Sequence, residues 1–205
     1  MKSHLLTLCL AAAAVSTVGA TRAHAAVIPT TYSNSTPVAI CDLCTVTSVL
    51  DVTSHGRLLD VNALVDITHS YDADITISLS HAGTSVLLSN RQGGSGGANY
   101  TDTVFDDQAA VAIDAGYAYA PYTGAFRPQQ ALAAFLGHDV FGLWTLVVTD
   151  HEAGDDGRID RFGIALEAEA VAEVPEPGSL ALFGIALAGI VGRRAGRARR
   201  VRRAN

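Results

Sequence analysis

Asp60-Val61-Asn62-Ala63-Leu64-Val65-Asp66-Ile67-Thr68 and, a short turn later, Asp74-Ile75-Thr76-Ile77-Ser78-Leu79-Ser80 decide the fold. In the first, Val61, Ala63, Val65 and Ile67 share one face and Asn62, Leu64, Asp66 and Thr68 the other. In the second, Ile75, Ile77 and Leu79 alternate with Thr76, Ser78 and Ser80. A period of two with β-branched residues is the mark of a half-buried strand. Ser85 to Ser89 reads as a short partner across the turn His81-Ala82-Gly83-Thr84. Leu143–Thr149 and Ile159–Leu166 read as a second pair across the Gly- and Asp-rich loop 150–158. The helical candidate is Gln129 to Leu136, entered through Pro128 and ended by Gly137. Short strands separated by turn residues predict an all-β domain, a jelly-roll-like β-sandwich.

Outward from this body, both ends change character. Lys2, an apolar stretch from Leu5 to Ala14, and the small-x-small site Ala23-His24-Ala25 form a secretory signal peptide over 1–25. Residues 26–39 are polar and Pro-bearing and read as a loose leader. The sandwich is expected over 40–168, a spacer over 169–173, and a distinct tail over 174–205. That tail runs Val174-Pro175-Glu176-Pro177-Gly178-Ser179, then an apolar stretch from Leu180 to Val191, then Arg193-Arg194 and five further arginines. Ser179 to Gly192 is 14 residues without a charge, about 21 Å as a helix at about 1.5 Å per residue. Roughly 20 residues span a bilayer comfortably. The segment therefore suits a transient hydrophobic helix in the inner membrane, with its arginines on the cytoplasmic side.

Charge narrows the function classes. Residues 27–173 hold five arginines, no lysine and nineteen Asp plus Glu, a formal charge of 5 − 19 = −14. The whole-chain value of −6 conceals this because seven arginines lie in the tail. Binding to a phosphate backbone needs clustered Lys and Arg, so nucleic acid is not an expected partner. About 147 residues between the two ends are enough for one domain with its own core.

Cys9 lies in the signal peptide, leaving Cys41 and Cys44 as Cys-Asp-Leu-Cys. In an oxidising compartment this spacing is expected to close a local disulfide. Free thiols and a metal or redox site are the alternatives. A redox pair would want a helix after it to lower the thiol pKa, and Thr45 to Val52 reads as strand. Zinc would need two further ligands at matching spacing.

The tail resembles the PEP-CTERM sorting signal of exported proteins in Gram-negative bacteria that make exopolysaccharide. The resemblance rests on Pro175-Glu176-Pro177, the apolar run and the cluster begun by Arg193 and Arg194. It implies recognition and processing by an exosortase-type membrane protease, after signal peptidase has acted at Ala23-Ala25. Cell surface or extracellular space is then the expected address.

The body resembles the P domain (Homo B) that follows the subtilisin-like catalytic domain of proprotein convertases. The stretches that carry this are Asp66-Ile67-Thr68-His69-Ser70-Tyr71, Asp74-Ile75 and Ala82-Gly83-Thr84. Gly142-Leu143-Trp144-Thr145-Leu146 with Asp150 follows, then Gly157-Arg158-Ile159 and Phe162. The bacterial form adds Gly93-Gly94-Ser95-Gly96, Thr103-Val104-Phe105-Asp106-Asp107 and Tyr122-Thr123-Gly124-Ala125-Phe126-Arg127-Pro128. The resemblance implies a jelly-roll sandwich without catalytic residues, one that supports a protease or contributes to calcium and pH behaviour. About 40 residues stand before the module, too few for a catalytic domain ahead of it. Cys41 and Cys44 are not expected from the family.

Individual residues carry competing readings. Gly93-Gly94-Ser95-Gly96-Gly97 matches G-x-S-x-G, but a nucleophile elbow needs a helix after the serine, and the sequence continues as a polar Gly-rich loop. His69 reads as a buried, hydrogen-bonded histidine, with ligand or base as the alternative. Trp144 reads as a core anchor; sugar stacking would need an exposed ring. Asp106, Asp107, Asp150, Asp155 and Asp156 are candidate calcium ligands, since calcium takes six to eight oxygens from irregular loops. Solvated turns favoured by Asp and Gly are the plainer alternative. A glycosidase acid and base would need two carboxylates across a sugar cleft, which no spacing indicates.

The expectation is a non-enzymatic interaction or structural domain, exported and sorted by an exosortase. Docking to a separate secreted subtilisin-like protease and binding of exopolysaccharide are the alternatives. No cofactor is required beyond the candidate calcium.

Overall fold

In a computed structural model, residues 26–94, 97–116 and 119–170 are described. The alternation at 60–68 becomes the middle of a 14-residue strand, β4 (Gly56–His69), with Val61, Ala63, Val65, Ile67 and His69 all buried. Before it come β1 (Val27–Asn34), β2 (Val38–Ile40) and β3 (Thr45–Val52). After it come β5 (Ile75–His81), β6 (Thr84–Asn90), β7 (Tyr100–Phe105), β8 (Tyr122–Phe126), β9 (Gly142–Asp150) and β10 (Gly157–Ala170).

These strands form two sheets. One has the order β1-β10-β4-β7-β8, with β2 also on β10; the other has the order β3-β9-β5-β6. All pairings are antiparallel except β7 with β8. Their inner faces meet as a sandwich. Ile75, Ile77, Leu79, Trp144, Leu146 and Val148 of one sheet face Val61, Val65, Ile67, Phe105, Phe162 and Ile164 of the other, all buried. The β5–β6 hairpin closes through Ala82 and Gly83, both at positive φ (48° and 82°), the backbone that a two-residue type I′ turn requires.

Three expectations are corrected. Leu143–Thr149 and Ile159–Leu166 do not pair with each other. β9 lies between β3 and β5, and β10 lies between β1/β2 and β4 in the opposite sheet. The loop joining them is a crossover, not a hairpin, because each strand already has neighbours on both sides. The leader over 26–39 is not loose. β1 runs in register along β10 from Val27↔Glu169 to Asn34↔Phe162. Pro29 is tolerated because this is an edge strand, where a missing N–H need not interrupt the ladder. β10 itself continues through Glu169 and Ala170, so the spacer's first residues belong to the sheet. The third concerns Gln129–Leu136, which contains a short 3-10 turn, Leu132–Phe135, and no α-helix. Leu132 and Phe135 are both buried. Their spacing of three stacks them on one side of such a turn.

Among the described residues no helix is long and apolar enough to cross a membrane. The expected signal peptide with Ala23 and Ala25, Ser95, and the tail with Pro175, Glu176, Pro177, Arg193 and Arg194 lie outside the described residues.

Candidate functional site

The alternation that buries Val61 to Ile67 also carries the next inward position, His69, into the end of the core. β9 does the same from the other sheet, placing Asp150 after Trp144, Leu146 and Val148. The two meet with His69 Nε2 3.3 Å from Asp150 Oδ2. Opposite His69 on β10 stands Gly157. A Cβ there would lie 2.6 Å from His69 Cδ2 and 2.3 Å from the Thr68 carbonyl oxygen, so the strand passes only because the position is glycine.

Around this pair the end of the sandwich is polar and closed. His69 Nδ1 lies 2.9 Å from the Tyr71 carbonyl and 3.2 Å from the Tyr71 N–H, so it finds a partner whether or not it carries a proton. Asn99 accepts the His69 N–H at 3.0 Å through its side chain and donates its own N–H to the His69 carbonyl. The Asp150 carboxylate also accepts the Glu152 N–H at 3.0 Å. Asp72 and Asp74 follow in a 3-10 turn and are buried. Among the described residues neither carboxyl oxygen of Asp72 has a hydrogen-bond partner. Burial pushes this carboxyl up to about 7, against the opposing pull of the Asn99 backbone and the His69 ring. Burial also raises Asp74, helped by Asp150, Asp155 and Glu152.

The predicted calcium ligands are divided by this geometry. Asp150, Asp155 and Asp156 lie at the His69 end, but Asp150 is engaged with His69 and Asp155 accepts the Ser70 hydroxyl at 2.6 Å. Asp106 and Asp107 follow Phe105, which pairs with Ala63 midway along β4. There Asp106 accepts the Gln108 N–H, and Asp107 accepts the N–H groups of Leu132 and Ala133 at 2.9 and 2.8 Å, starting the 3-10 turn. Among the described residues no group of three or more His, Cys, Asp or Glu side chains is arranged to hold a metal ion. Cys41 and Cys44 close a disulfide with Cα atoms 5.6 Å apart. Asp42 between them accepts the Gly154 N–H, tying this loop to the acidic one.

Chemically, the His69–Asp150 pair has the residue types of a catalytic base but not the access. Both ring nitrogens are engaged inside the protein and the ring is fully buried. The nearby Ser70 hydroxyl donates to Asp155, and Ser89 is paired with Tyr100. Trp144 is fully buried, donates to the Val140 carbonyl at 3.0 Å and lies flat on His81 with ring centroids 4.0 Å apart. Stacking on a sugar is closed to it. Surface hollows of about 70 and 190 Å³ are smaller than the roughly 300 Å³ or more typical of small-ligand sites.

Sequence reasoning missed two groups. One is Asp72: a carboxylate two residues before Asp74 in a polar turn gives no sign of full burial. Asp60 and Glu167 face each other across β4 and β10. The Asp60 carboxyl is raised first by burial and then by Asp106 and Glu167. Only the strand register brings these acids together.

Comparison with known proteins places two matches on the chain. The proprotein convertase P-domain model matches residues 58–166, just over half of the chain, and the PEP-CTERM protein-sorting motif matches 173–203. The first begins inside β4 and ends inside β10, so β1, β2, β3 and the Cys41–Cys44 loop precede it. No curated protein matches the chain. Among solved structures, the complex of Aeromonas sobria serine protease with the chaperone ORF2 is similar at 17% identity and a TM-score of 0.48. It covers 71% of this chain and 28% of that one. The serine protease of Aeromonas sobria is similar at 16% identity and a TM-score of 0.46, over 70% and 27% of the two chains.

Proposed function

Because the chain belongs to the proprotein convertase P-domain family and carries a PEP-CTERM sorting motif behind that domain, we propose that it is a non-enzymatic interaction domain of the cell envelope. Signal peptidase releases it at Ala25. The apolar stretch Leu180–Val191 then holds it in the inner membrane, and an exosortase acts at Pro175-Glu176-Pro177 to deliver it to the cell surface. The observation that carries this is the order of the two matches along one chain, a P domain followed directly by the sorting motif. A non-enzymatic role is supported by the His69–Asp150 pair, which is buried, internally satisfied and faces no nucleophile among the described residues.

The test is fractionation of cells making the chain or its Pro175→Ala, Glu176→Ala, Pro177→Ala variant. The parent is expected in the envelope or medium, shortened at both ends. The variant is expected to keep its tail and stay with the inner membrane. Full-length parent protein confined to the cytoplasm would overturn the proposal. Capture by the parent of a secreted protease or of the organism's exopolysaccharide identifies the partner class.

A further inference from the structure

The two ends of the folded domain lie side by side. The Ala170 N–H donates to the Ala26 carbonyl at 3.0 Å, and Val27 is in register with Glu169. The tail therefore leaves from the same end of the sandwich at which the mature chain begins. Gly56, paired with Ala170, brings the start of β4 there. The bond from the Val140 N–H to the Gly56 carbonyl brings the segment before β9 as well.

This end is unusually apolar. Val27, Ile28, Phe141 and Leu143 are between 47% and 59% exposed, four of the eight large hydrophobic side chains that face solvent among the described residues. Phe141 stacks on the exposed ring of His55 at 4.3 Å. A hollow of about 70 Å³ opens beside them, lined in part by Ile28, His55, Leu166, Ala168 and Ala170. Two of the acids at this end are paired, Asp139 with His55 at 2.7 Å and Glu169 with Arg57 at 3.5 Å; a third, Asp51, is exposed directly across from Leu143 on β3. The opposite end holds Asp42, Asp74, Asp150, Glu152, Asp155 and Asp156. Asp60, Asp106 and Glu167 lie on the flank of the β4 sheet, not on this end. Exposed aliphatic and aromatic side chains gathered at one place mark a contact surface.

We infer that this end, centred on Phe141, Leu143 and Ile28, rests on the bilayer while the tail is inserted. The occupant follows from the length of chain beyond the domain. Nine residues, 171–179, separate Ala170 from the apolar stretch at Leu180, at most about 30 Å when fully extended. The domain is thus tethered by its apolar end, which is the end turned to the membrane. Exposed aromatics settle at the headgroup level, and an apolar face reaches about 5–10 Å into the interface. The acidic end then points away from the bilayer into water, where its carboxylates keep their hydration. The inference rests on the tail insertion proposed above.

The test uses the full chain in vesicles of phosphatidylethanolamine and phosphatidylglycerol, with and without bromine-labelled acyl chains that quench tryptophan on contact. Trp144 is fully buried, so the parent supplies the background to subtract. Phe141→Trp probes the face, with Leu143→Trp as its second position. Leu43→Trp probes the opposite end, and Phe183→Trp the tail. The inference expects brominated lipid to remove most of the added emission in Phe141→Trp and Leu143→Trp and almost none in Leu43→Trp. Quenching of Phe183→Trp with Phe141→Trp and Leu143→Trp no more quenched than Leu43→Trp overturns the inference and leaves tail insertion standing. No quenching of Phe183→Trp overturns tail insertion and the inference with it. A blue-shifted but unquenched Phe141→Trp means that protein covers the face, which also overturns the lipid assignment.

Discussion

His69 and Asp150 join the two sheets at one end of the sandwich: Nε2 lies 3.3 Å from Oδ2, with side-chain exposures of 0% and 1%. One residue closes β4 and the other closes β9, so the contact is a polar clamp between layers that elsewhere meet mainly through aliphatic and aromatic side chains. Its cost is the removal of two polar groups from water, offset by bonds to Tyr71, Asn99 and Glu152.

Breaking this clamp from one side leaves the other group buried and unpaired. Asp150→Ala is expected to destabilise the chain by roughly 3–5 kcal/mol. Leucine at both positions is expected to cost less than the worse single change, because no polar remnant stays behind. Urea unfolding followed by Trp144 fluorescence measures both. A loss below about 0.5 kcal/mol for Asp150→Ala, within the range of ordinary surface changes, would show that the clamp contributes little.

Asp72 gives the same end a dependence on pH. Its carboxyl is raised to about 7 in the folded protein by burial, against 3.8 when unperturbed. The folded state therefore holds a proton that the unfolded chain has released, and stability falls as pH rises from about 4 to about 7. At about 1.36 kcal/mol per unit, the effect is at most about 4 kcal/mol. Asp72→Asn keeps the shape without the charge. It is expected to raise the melting temperature at pH 8 more than at pH 4, and to flatten the slope between them. Parallel profiles for parent and variant would mean that Asp72 ionises freely where it stands.

Gly157 is the backbone counterpart of the clamp. Its φ is not in the left-handed region, so the argument is one of space alone. A methyl group would meet the Thr68 carbonyl and the His69 ring, neither of which is the end of a flexible side chain. Gly157→Ala is expected to destabilise by about 3 kcal/mol and to shift the His69 imidazole resonances. An unchanged His69 spectrum would show that β10 can step aside.

What could be read in advance follows from how local each feature is. The inward faces of β4 and β5 were legible because alternation within one strand encodes them; on β9 the residue type of Trp144 marked one core position. The alternation of β10 is less clear: a register shift between Ile159 and Arg161 leaves Asp160 out of step and puts Phe162 back on the inner face. β1 was missed because Pro29 and the polar residues around it carry no strong periodicity; its order comes from the edge of β10. The candidate carboxylates were visible as residue types. Which of them are bonded inward, as Asp107 is to Leu132 and Ala133, depends on loops that only the folded chain brings together. Asp72 shows the converse, since nothing in Tyr71-Asp72-Ala73-Asp74 marks one aspartate as sealed from water.

The Asp60–Glu167 pair offers a test on the flank of the sheet. Two carboxylates directly opposite on neighbouring strands repel, and Asp106 adds to the field at Asp60. Glu167 is exposed and has no hydrogen-bond partner to lose among the described residues, so replacing it removes repulsion without opening a cavity. Glu167→Gln is expected to stabilise by roughly 0.2–1 kcal/mol at neutral pH. The gain should shrink at high salt, which screens exposed charges. It should also vanish as pH falls through the carboxylate range, because the raised Asp60 group is then already protonated. Thermal unfolding at pH 7 and pH 3, each at low and high salt, separates the terms. A gain that persists at pH 3 would point to helpful packing by the glutamine and not to relief of charge.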